Sequence, residues 1–321
     1  MPDYSEYIII EKDEMEFYNH YRGDYTFLCD MFWGEKEAIR IIQNQSKIKE
    51  SKFDNAHSRI IIDKTNKEIF LQLDTYEHDN GVGVLISEIY LELLRIRWNK
   101  WKVNQLENGY DDFMKMIINL NYFEDKEYRL NRIETQIRNY EKNYWDEPIG
   151  TLVSISTDKE VKFGIIEKNV AEVISIGEEL LNEEFENKLP KDKLPFGGIH
   201  INSDDKKVKV WYSLPSPKFG KWASKYWNGW SLEYNFNGYK NHYQECGNLK
   251  ILNQILPNLR KKAIDFLRAV ILDYEREPYI KIEGKKRIAN FRERGISKDK
   301  RTEIFEETIE EYKKKTVPNN V

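Results

Sequence analysis

Residues 226–243, YWNGWSLEYNFNGYKNHY, indicate how this chain is built, because an earlier stretch repeats their pattern. Residues 97–113 read RWNKWKVNQLENGYDDF, and in both stretches Trp-Asn-x-Trp is followed at the same distance by Asn-Gly-Tyr. A pattern that recurs at a fixed spacing is typical of an internal repeat. The two stretches therefore predict that one structural unit occurs twice in the chain.

Further matches keep the same order along the chain. Residues 58–73 (SRIIIDKTNKEIFLQL) align with residues 197–212 (GGIHINSDDKKVKVWY) at an offset of 139, whereas the offset at the tryptophans is 129. The aligned strand positions are Ile60 with Ile199, Ile62 with Ile201, and Ile69 with Val208. One insertion of ten residues within residues 79–97 accounts for the change of offset. Upstream, residues 24–45 align with residues 160–181 in the same way.

Hydrophobic periodicity gives each unit the predicted order β-α-β-β-α-β-α. The predicted strands are residues 26–32, 59–63, 68–74, 161–166, 199–202, 207–213 and 230–236. The predicted helices are residues 35–47, 86–94, 124–143, 170–184, 218–227 and 259–277. We expect an α+β fold in which small, mostly antiparallel sheets are covered by helices. The predicted domains are a first repeat unit at 1–147, a second at 148–277 and a charged helical tail at 278–321, with an exposed helix at 301–315.

Composition indicates a soluble globular protein. Charged residues make up 33% of the chain, hydrophobic residues 40% and aromatic residues 13%, and the formal net charge is −4. Such a chain has no overall electrostatic attraction to nucleic acid or to an anionic membrane. Two cysteines, Cys29 and Cys246, do not form a disulfide framework. No signal peptide or membrane span is evident, and Lys, Ile, Asn and Glu are abundant, so we expect a cytoplasmic bacterial protein without a membrane partner.

The repeated aromatic residues are predicted to form a structural corner in each unit. They are Trp98, Trp101 and Tyr110 in the first copy, and Trp227, Trp230 and Tyr239 in the second. They lie at a helix end, a strand start and a helix start, where large rings bury much apolar area and join the elements. An exposed stacking platform for bases or sugars is the alternative interpretation.

Candidate catalytic or metal-binding residues are best looked for at positions where the two copies differ. The second copy has His200, His242 and Cys246, and His242 and Cys246 share one face if residues 239–247 are helical. Their equivalents in the first copy are apolar: Ile61, Phe113 and Ile117. Because the chain has no Cys-x-x-Cys or His-Glu-x-x-His motif, we expect no metal and no cofactor. The three residues nevertheless remain the candidates for a catalytic group in an enzyme, a hydrolase or transferase, that shows no recognisable signature.

Two charged segments are candidate binding surfaces. An acidic segment contains Glu178, Glu179, Glu183 and Glu184. A basic segment, residues 281–301, contains nine Lys or Arg and three Asp or Glu, and its central cations are Lys285, Lys286, Arg287, Arg292 and Arg294. The basic segment supports nucleic-acid binding as an alternative function.

The leading functional expectation is a non-enzymatic protein that binds another protein. Its acidic character, its duplicated aromatic units and the lack of a catalytic motif favour an immunity or antitoxin protein that inhibits a toxin domain. An enzyme that uses the histidines, and a nucleic-acid binder that uses the basic segment, are the alternatives.

Overall fold

The computed structural model describes residues 4–12, 14–21, 26–48, 56–73, 82–107, 112–113, 116, 150–213, 223–273, 279–283, 286–290 and 296–316. It divides into two compact units. The first comprises Met1–Thr75, Leu85–Leu106 and Lys261–Val321, and the second comprises Tyr76–Val84 and Glu107–Arg260. The predicted domain boundaries at residues 147 and 277 differ from this division and remain predictions.

The first unit contains a six-stranded sheet in the order β3-β2-β1-β4-β5-β6. Its elements along the chain are β1 (Tyr4–Glu11), β2 (Glu14–Tyr21), α1 (Thr26–Phe32), α2 (Glu35–Gln43), β3 (Ser46–Ile48), β4 (Ala56–Asp63), β5 (Glu68–Gln72), α3 (Gly83–Arg97) and β6 (Lys102–Gln105). Strand β1 is antiparallel to β2 but parallel to β4, and β5 is antiparallel to β4 but parallel to β6.

The second unit contains a five-stranded sheet in the order β11-β10-β9-β7-β8. Its elements are β7 (Thr151–Ser156), β8 (Val161–Ile166), α4 (Val170–Ile174), a 3-10 helix (Gly177–Asn182), β9 (Gly197–Asn202), β10 (Lys207–Tyr212), β11 (Ser231–Phe236) and α5 (Tyr239–Glu245), followed by α6 (Leu249–Asp273). The directions repeat those of the first sheet: β7 is antiparallel to β8 and parallel to β9, and β10 is antiparallel to β9 and parallel to β11.

The aligned hairpins also have the same register. Ile62 faces Ile69 in the first sheet, and Ile201 faces Val208 at the equivalent place in the second. In both hairpins a lysine at the turn adopts a positive φ, 54° at Lys67 and 49° at Lys206. Two different sequences thus build the same five-strand topology, and the α+β fold class is confirmed.

The sheets are mixed: two of the five strand pairs of the first sheet and two of the four of the second are parallel. The sequence interpretation missed strands β1 and β7. Both strands lie inside their sheets, and most of their described residues are buried on both faces. A strand buried on both faces has no apolar–polar alternation, so period-two analysis does not detect it. Each missed strand contributes a parallel pairing, with β4 and β9 respectively.

Two predicted elements of secondary structure were wrong, and the described part of the predicted helix 218–227, residues 223–227, is mostly turn. Residues 26–32 form helix α1 and not a strand, since an apolar run of this length is compatible with either. The predicted helix 170–184 is two short helices, separated where Gly177 adopts a φ of +71°. Residues other than glycine are strained in that conformation, and a residue that adopts it interrupts an α-helix.

The C-terminal elements are β12 (Tyr279–Glu283), β13 (Lys286–Asn290) and α7 (Lys298–Thr316). Helix α7 agrees with the expected helix in position, but it is not exposed on all sides. Phe305, Ile309 and Tyr312, spaced three to four residues apart, are buried. Helix α6 begins ten residues before its predicted start, so that Pro257 lies inside it. The predicted helix 124–143 lies outside the described residues.

None of the helices in the described part of the chain combines the length and apolar character needed to cross a lipid bilayer.

Candidate functional site

A polar cavity of about 440 Å³ lies beside β10, β11 and α5 in the second unit. Its lining includes His200, Lys209, Glu233, Asn235, Asn241 and Glu245. Concave sites with a few convergent polar groups are the usual places where proteins bind ligands. This cavity is the candidate functional site.

A buried serine joins the two predicted histidines beside this cavity. The Ser154 Oγ atom lies 2.7 Å from His200 Nδ1 and 2.6 Å from His242 Nε2. The Trp211 indole N–H donates to His242 Nδ1 over 2.7 Å. Three β-strands and α5 supply these four residues, and all four side chains are buried.

The indole determines the tautomer of His242. An indole N–H can only donate, so Nδ1 of a neutral His242 accepts and its proton is on Nε2. That Nε2–H donates to Ser154 Oγ, which is also hydrogen-bonded to Nδ1 of His200. The other ring nitrogen of His200, Nε2, lies 3.4 Å from Ser156 Oγ and 3.8 Å from the carboxylate Oε2 of Glu245.

Burial keeps both imidazoles neutral. Loss of hydration, together with the neighbouring His200 and Lys209, lowers the pKa of His242 to about 3. Burial also lowers the pKa of His200, although the nearby Glu245 carboxylate opposes the shift. Two neutral rings at neutral pH agree with the donor and acceptor pattern that the Trp211 N–H imposes.

Cys246 is near this network but is not activated. Burial raises the pKa of its thiol to about 11, despite a hydrogen bond from Ser154 that favours the thiolate. A thiol with such a pKa is protonated at neutral pH and is a poor nucleophile. Ser154 itself has no exposed surface, so a substrate cannot reach its hydroxyl without rearrangement.

Gly198 provides the space in which the Trp211–His242 hydrogen bond forms. A Cβ atom at this position would lie 2.5 Å from Trp211 Nε1, 2.6 Å from His242 Nδ1 and 2.8 Å from the Leu152 carbonyl oxygen. Such distances are too short for non-bonded atoms, so a side chain here displaces one ring or the backbone.

Replacing Gly198 by Ala is expected to lower the free energy of unfolding by about 2 kcal/mol, through overpacking and loss of the indole hydrogen bond. Urea denaturation of the variant measures the change. Gly247→Ala is the matched control, because Gly247 has a φ of +68° but open space around its Cβ position, and strain alone costs about 1 kcal/mol there. An equal or smaller loss for Gly198→Ala would contradict the packing argument.

The equivalent positions in the first sheet carry apolar residues. Ser154 pairs with His200 across β7 and β9, and the topologically equivalent pair across β1 and β4 is Ile8 with Ile61. Both isoleucines are fully buried. The first unit therefore forms the same sheet topology with two apolar side chains at the positions that Ser154 and His200 occupy in the second. Burying polar groups costs free energy that an apolar pair avoids, so packing alone does not explain the serine and histidine of the second unit.

The remaining predicted site residues lie elsewhere. Glu178, Glu179, Glu183 and Glu184 are exposed on and just after the 3-10 helix, and none of them lines the cavity. Lys286 and Arg287 belong to β13, while Lys285, Arg292 and Arg294 lie outside the described residues. Nucleic-acid binding through residues 281–301 therefore remains a prediction.

The tryptophans of the aromatic corners occupy matching places in the two units. Trp98 donates its indole N–H to the Met31 carbonyl over 2.8 Å, and Trp227 donates to the Ile174 carbonyl over 2.9 Å. Each packs edge-on against its partner, with ring centroids 5.2 Å apart for Trp98 and Trp101 and 5.1 Å apart for Trp227 and Trp230. Tyr239 is fully buried, and Tyr110 lies outside the described residues.

Ser154, Trp211, Lys209 and Glu245 were missed by the sequence interpretation. Lys209 and Glu245 form an ion pair at the cavity wall. No local pattern identifies these residues, because they belong to different elements. The one available signal was a serine in an apolar strand whose counterpart, at the equivalent place in the first copy, is an isoleucine. Within the described ranges, no three His, Cys, Asp or Glu side chains cluster closely enough to hold a metal ion.

The chain matches no protein-family model, no curated protein and no solved structure.

Proposed function

We propose that the chain is a non-enzymatic binding protein that receives a group of a protein partner in the polar cavity of its second unit. The observation that carries this proposal is the hydrogen-bond chain from Trp211 to His200. It ends at His200, beside the Lys209–Glu245 pair that lines the cavity. Rigid polar groups at the bottom of a concave site give a binding surface its specificity.

The state of the reactive groups favours binding over catalysis at this site. Nδ1 of His200 is hydrogen-bonded to Ser154, the Ser154 hydroxyl is buried, and the Cys246 thiol is protonated. Each group of a Ser–His or Cys–His nucleophile is thus present but occupied or inactive. The enzyme alternative requires this network to rearrange when substrate binds.

The partner that we propose is a toxin domain, with the chain acting as an immunity or antitoxin protein in the bacterial cytoplasm. The net charge of −4 supports association with a basic partner, because complementary potentials accelerate encounter. We also infer that the two units arose by tandem duplication. The repeated strand order, strand directions and hairpin register support this origin, and the apolar pair Ile8 and Ile61 marks where the second copy acquired a polar site.

An affinity pull-down from native lysate tests the proposal. The tagged full-length protein is expected to retain one protein in a stoichiometric ratio. Asn241→Arg, which places a large charged side chain in the cavity lining, is expected to weaken that complex by roughly 30- to 100-fold, as for a central contact in an interface. Asn228→Arg is the matched control, because Asn228 is exposed but does not line the cavity.

Equal retention by the two variants would overturn the assignment of the cavity as the binding surface. An eluate that contains nucleic acid but no protein would instead support the basic segment. Turnover of a co-purifying small molecule that is lost in His242→Ala would support the enzyme alternative.

A further inference from the structure

Helix α5 forms one wall of the cavity and lies between two residues with a positive φ. Asn237 has a φ of 52° before the helix, and Gly247 has a φ of 68° after it. The seven residues Tyr239–Glu245 are too few for a helix to persist by itself in water, so α5 depends on its contacts with the sheet. Three exposed or half-buried residues line the cavity from this helix: Asn241, Gln244 and Glu245.

Two side chains of α5 that are one helical turn apart make polar contacts with strand β10. His242 accepts the indole N–H of Trp211 at Nδ1 over 2.7 Å, and Glu245 forms an ion pair with Lys209. Lys209 and Trp211 are alternate residues of one strand, so both lie on the same face of the sheet. The Nε2–H of His242 donates to Ser154 on β7. Both ring nitrogens of His242 therefore hold α5 on the sheet.

A positively charged His242 does not fit these contacts. The imidazolium ion carries an N–H on both ring nitrogens, and an indole N–H cannot accept a hydrogen bond. Protonation of His242 would thus leave two N–H donors facing each other, with their nitrogen atoms 2.7 Å apart at the Trp211 contact. The contact between α5 and β10 requires the neutral ring.

The charged and titratable groups around His242 in the described part of the unit do not compensate for this conflict. They are His200 on β9, Lys209 on β10, and Glu245 and Cys246 at the end of α5. The ammonium of Lys209 repels an imidazolium ion, and the carboxylate of Glu245 is already paired with that lysine. Burial adds to these effects and lowers the pKa of His242 to about 3.

We propose that α5 is a lid, which leaves the sheet as a unit while β9 and β10 stay paired and which opens more readily when His242 is protonated. Opening breaks the Trp211–His242 hydrogen bond, removes one wall of the cavity and exposes Ser154 and His200, which are buried when the lid is closed. The lid controls access to the cavity, and this inference rests on the proposed function only where it takes the cavity as the binding site.

Hydrogen–deuterium exchange of the full-length protein, followed by mass spectrometry, measures lid opening without a partner. The amides of His242 and Cys246 donate to the Gly238 and His242 carbonyls, so they exchange when α5 leaves the sheet and unwinds. After correction for intrinsic exchange, we expect these amides at pH 7 to exchange roughly 100-fold faster than those paired between β9 and β10. Lowering the pH to 5 is expected to increase lid opening roughly 25-fold through His242 alone, because a solvated histidine titrates near 6.5.

Two variants test whether His242 and Trp211 cause the acid effect. His242→Gln keeps an amide donor and acceptor but does not titrate, so the acid effect on lid opening is expected to shrink roughly tenfold or more. Trp211→Phe removes the N–H that opposes a proton on Nδ1, so the acid effect is expected to shrink there too. Trp227→Phe is the matched control, because it removes a buried indole N–H that donates to Ile174 and not to the lid. It is expected to leave the acid effect unchanged.

Lid amides that exchange as slowly as those of β9 and β10 would overturn the inference, because α5 would then open only when the whole unit unfolds. An acid effect that is absent, or that persists in His242→Gln, would overturn it as well. These results are independent of partner capture. A failed pull-down with the expected lid exchange argues against the protein partner, whereas a captured partner without separate lid exchange argues against the lid.

Discussion

Trp227→Ala is expected to lower the free energy of unfolding by about 4 kcal/mol, the usual loss when a buried tryptophan is truncated. Trp227 is 1% exposed, and its ring packs against Trp230 at the junction that leads into β11. Truncation leaves a large cavity and also removes the indole donor from the Ile174 carbonyl. Urea denaturation followed by far-UV circular dichroism measures the change.

Trp227→Phe separates the two contributions. The phenyl ring retains most of the packing but cannot donate to Ile174, so the expected loss is about 2 kcal/mol. Trp98→Ala is expected to reproduce the large loss in the first unit, because Trp98 is equally buried and donates to the Met31 carbonyl in the same way. A loss of about 1 kcal/mol or less for both Trp→Ala variants would show that the aromatic corners do not support their units.

Acid is expected to destabilise the second unit, because its two buried histidines resist protonation in the folded state. The pKa of His242 is about 3 in the folded chain, whereas an unfolded histidine titrates near 6.5. The unfolded state therefore binds more protons than the folded state below pH 6.5, and stability falls as the pH is lowered. Each fully buried histidine contributes roughly 1 kcal/mol per pH unit in this window.

The relevant pH range runs from 6.5 to 4.5. Glu16 and Glu233 have pKa values lowered by their salt-bridge partners, so they lose their charge at a lower pH than an unpaired glutamate. His242 alone is expected to remove roughly 2 kcal/mol across the range, and His200, whose pKa burial also lowers, acts in the same direction. Urea denaturation at several pH values measures the slope.

His242→Gln supplies the control, because glutamine does not titrate and retains an amide donor and acceptor. The slope is expected to fall by about half in this variant. An unchanged slope would mean that His242 is not buried as a neutral ring.

Local hydrophobic periodicity and turn residues were sufficient to locate several strands and helices. The hairpins around residues 64–67 and 203–206 appear close to their predicted positions, and so do strand β8 and helix α3. In β5 and β10 buried residues alternate with partly buried ones, and an apolar stripe recurs at helical spacing in α3. Strand β9 is as buried as β7 and was located by the polar turn that joins it to β10. The repeated Trp-Asn-x-Trp pattern also located equivalent indole donors in the two units.

Elements buried on all sides gave no such signal. Strands β1 and β7 lie inside their sheets, and helix α1 buries Phe27, Leu28 and Phe32. When an element is buried on every side, its faces do not differ in polarity and no hydrophobic period can be recognised. Its length and the flanking residues must then distinguish a strand from a helix. This is why the sheets were expected to be mostly antiparallel and are mixed.

The sequence by itself determined the α+β class, the hairpin register, the repeated aromatic pattern and the polar residues His200, His242 and Cys246 as the places where the copies differ. Only the tertiary structure decided that Ser154 and Trp211 meet these histidines. Ser154 is 46 residues from His200 and 88 from His242, and the parallel pairing of β7 with β9 brings it alongside His200. A hydrogen-bond chain across that distance depends on which strands are neighbours in the sheet, and no local property of the sequence encodes this.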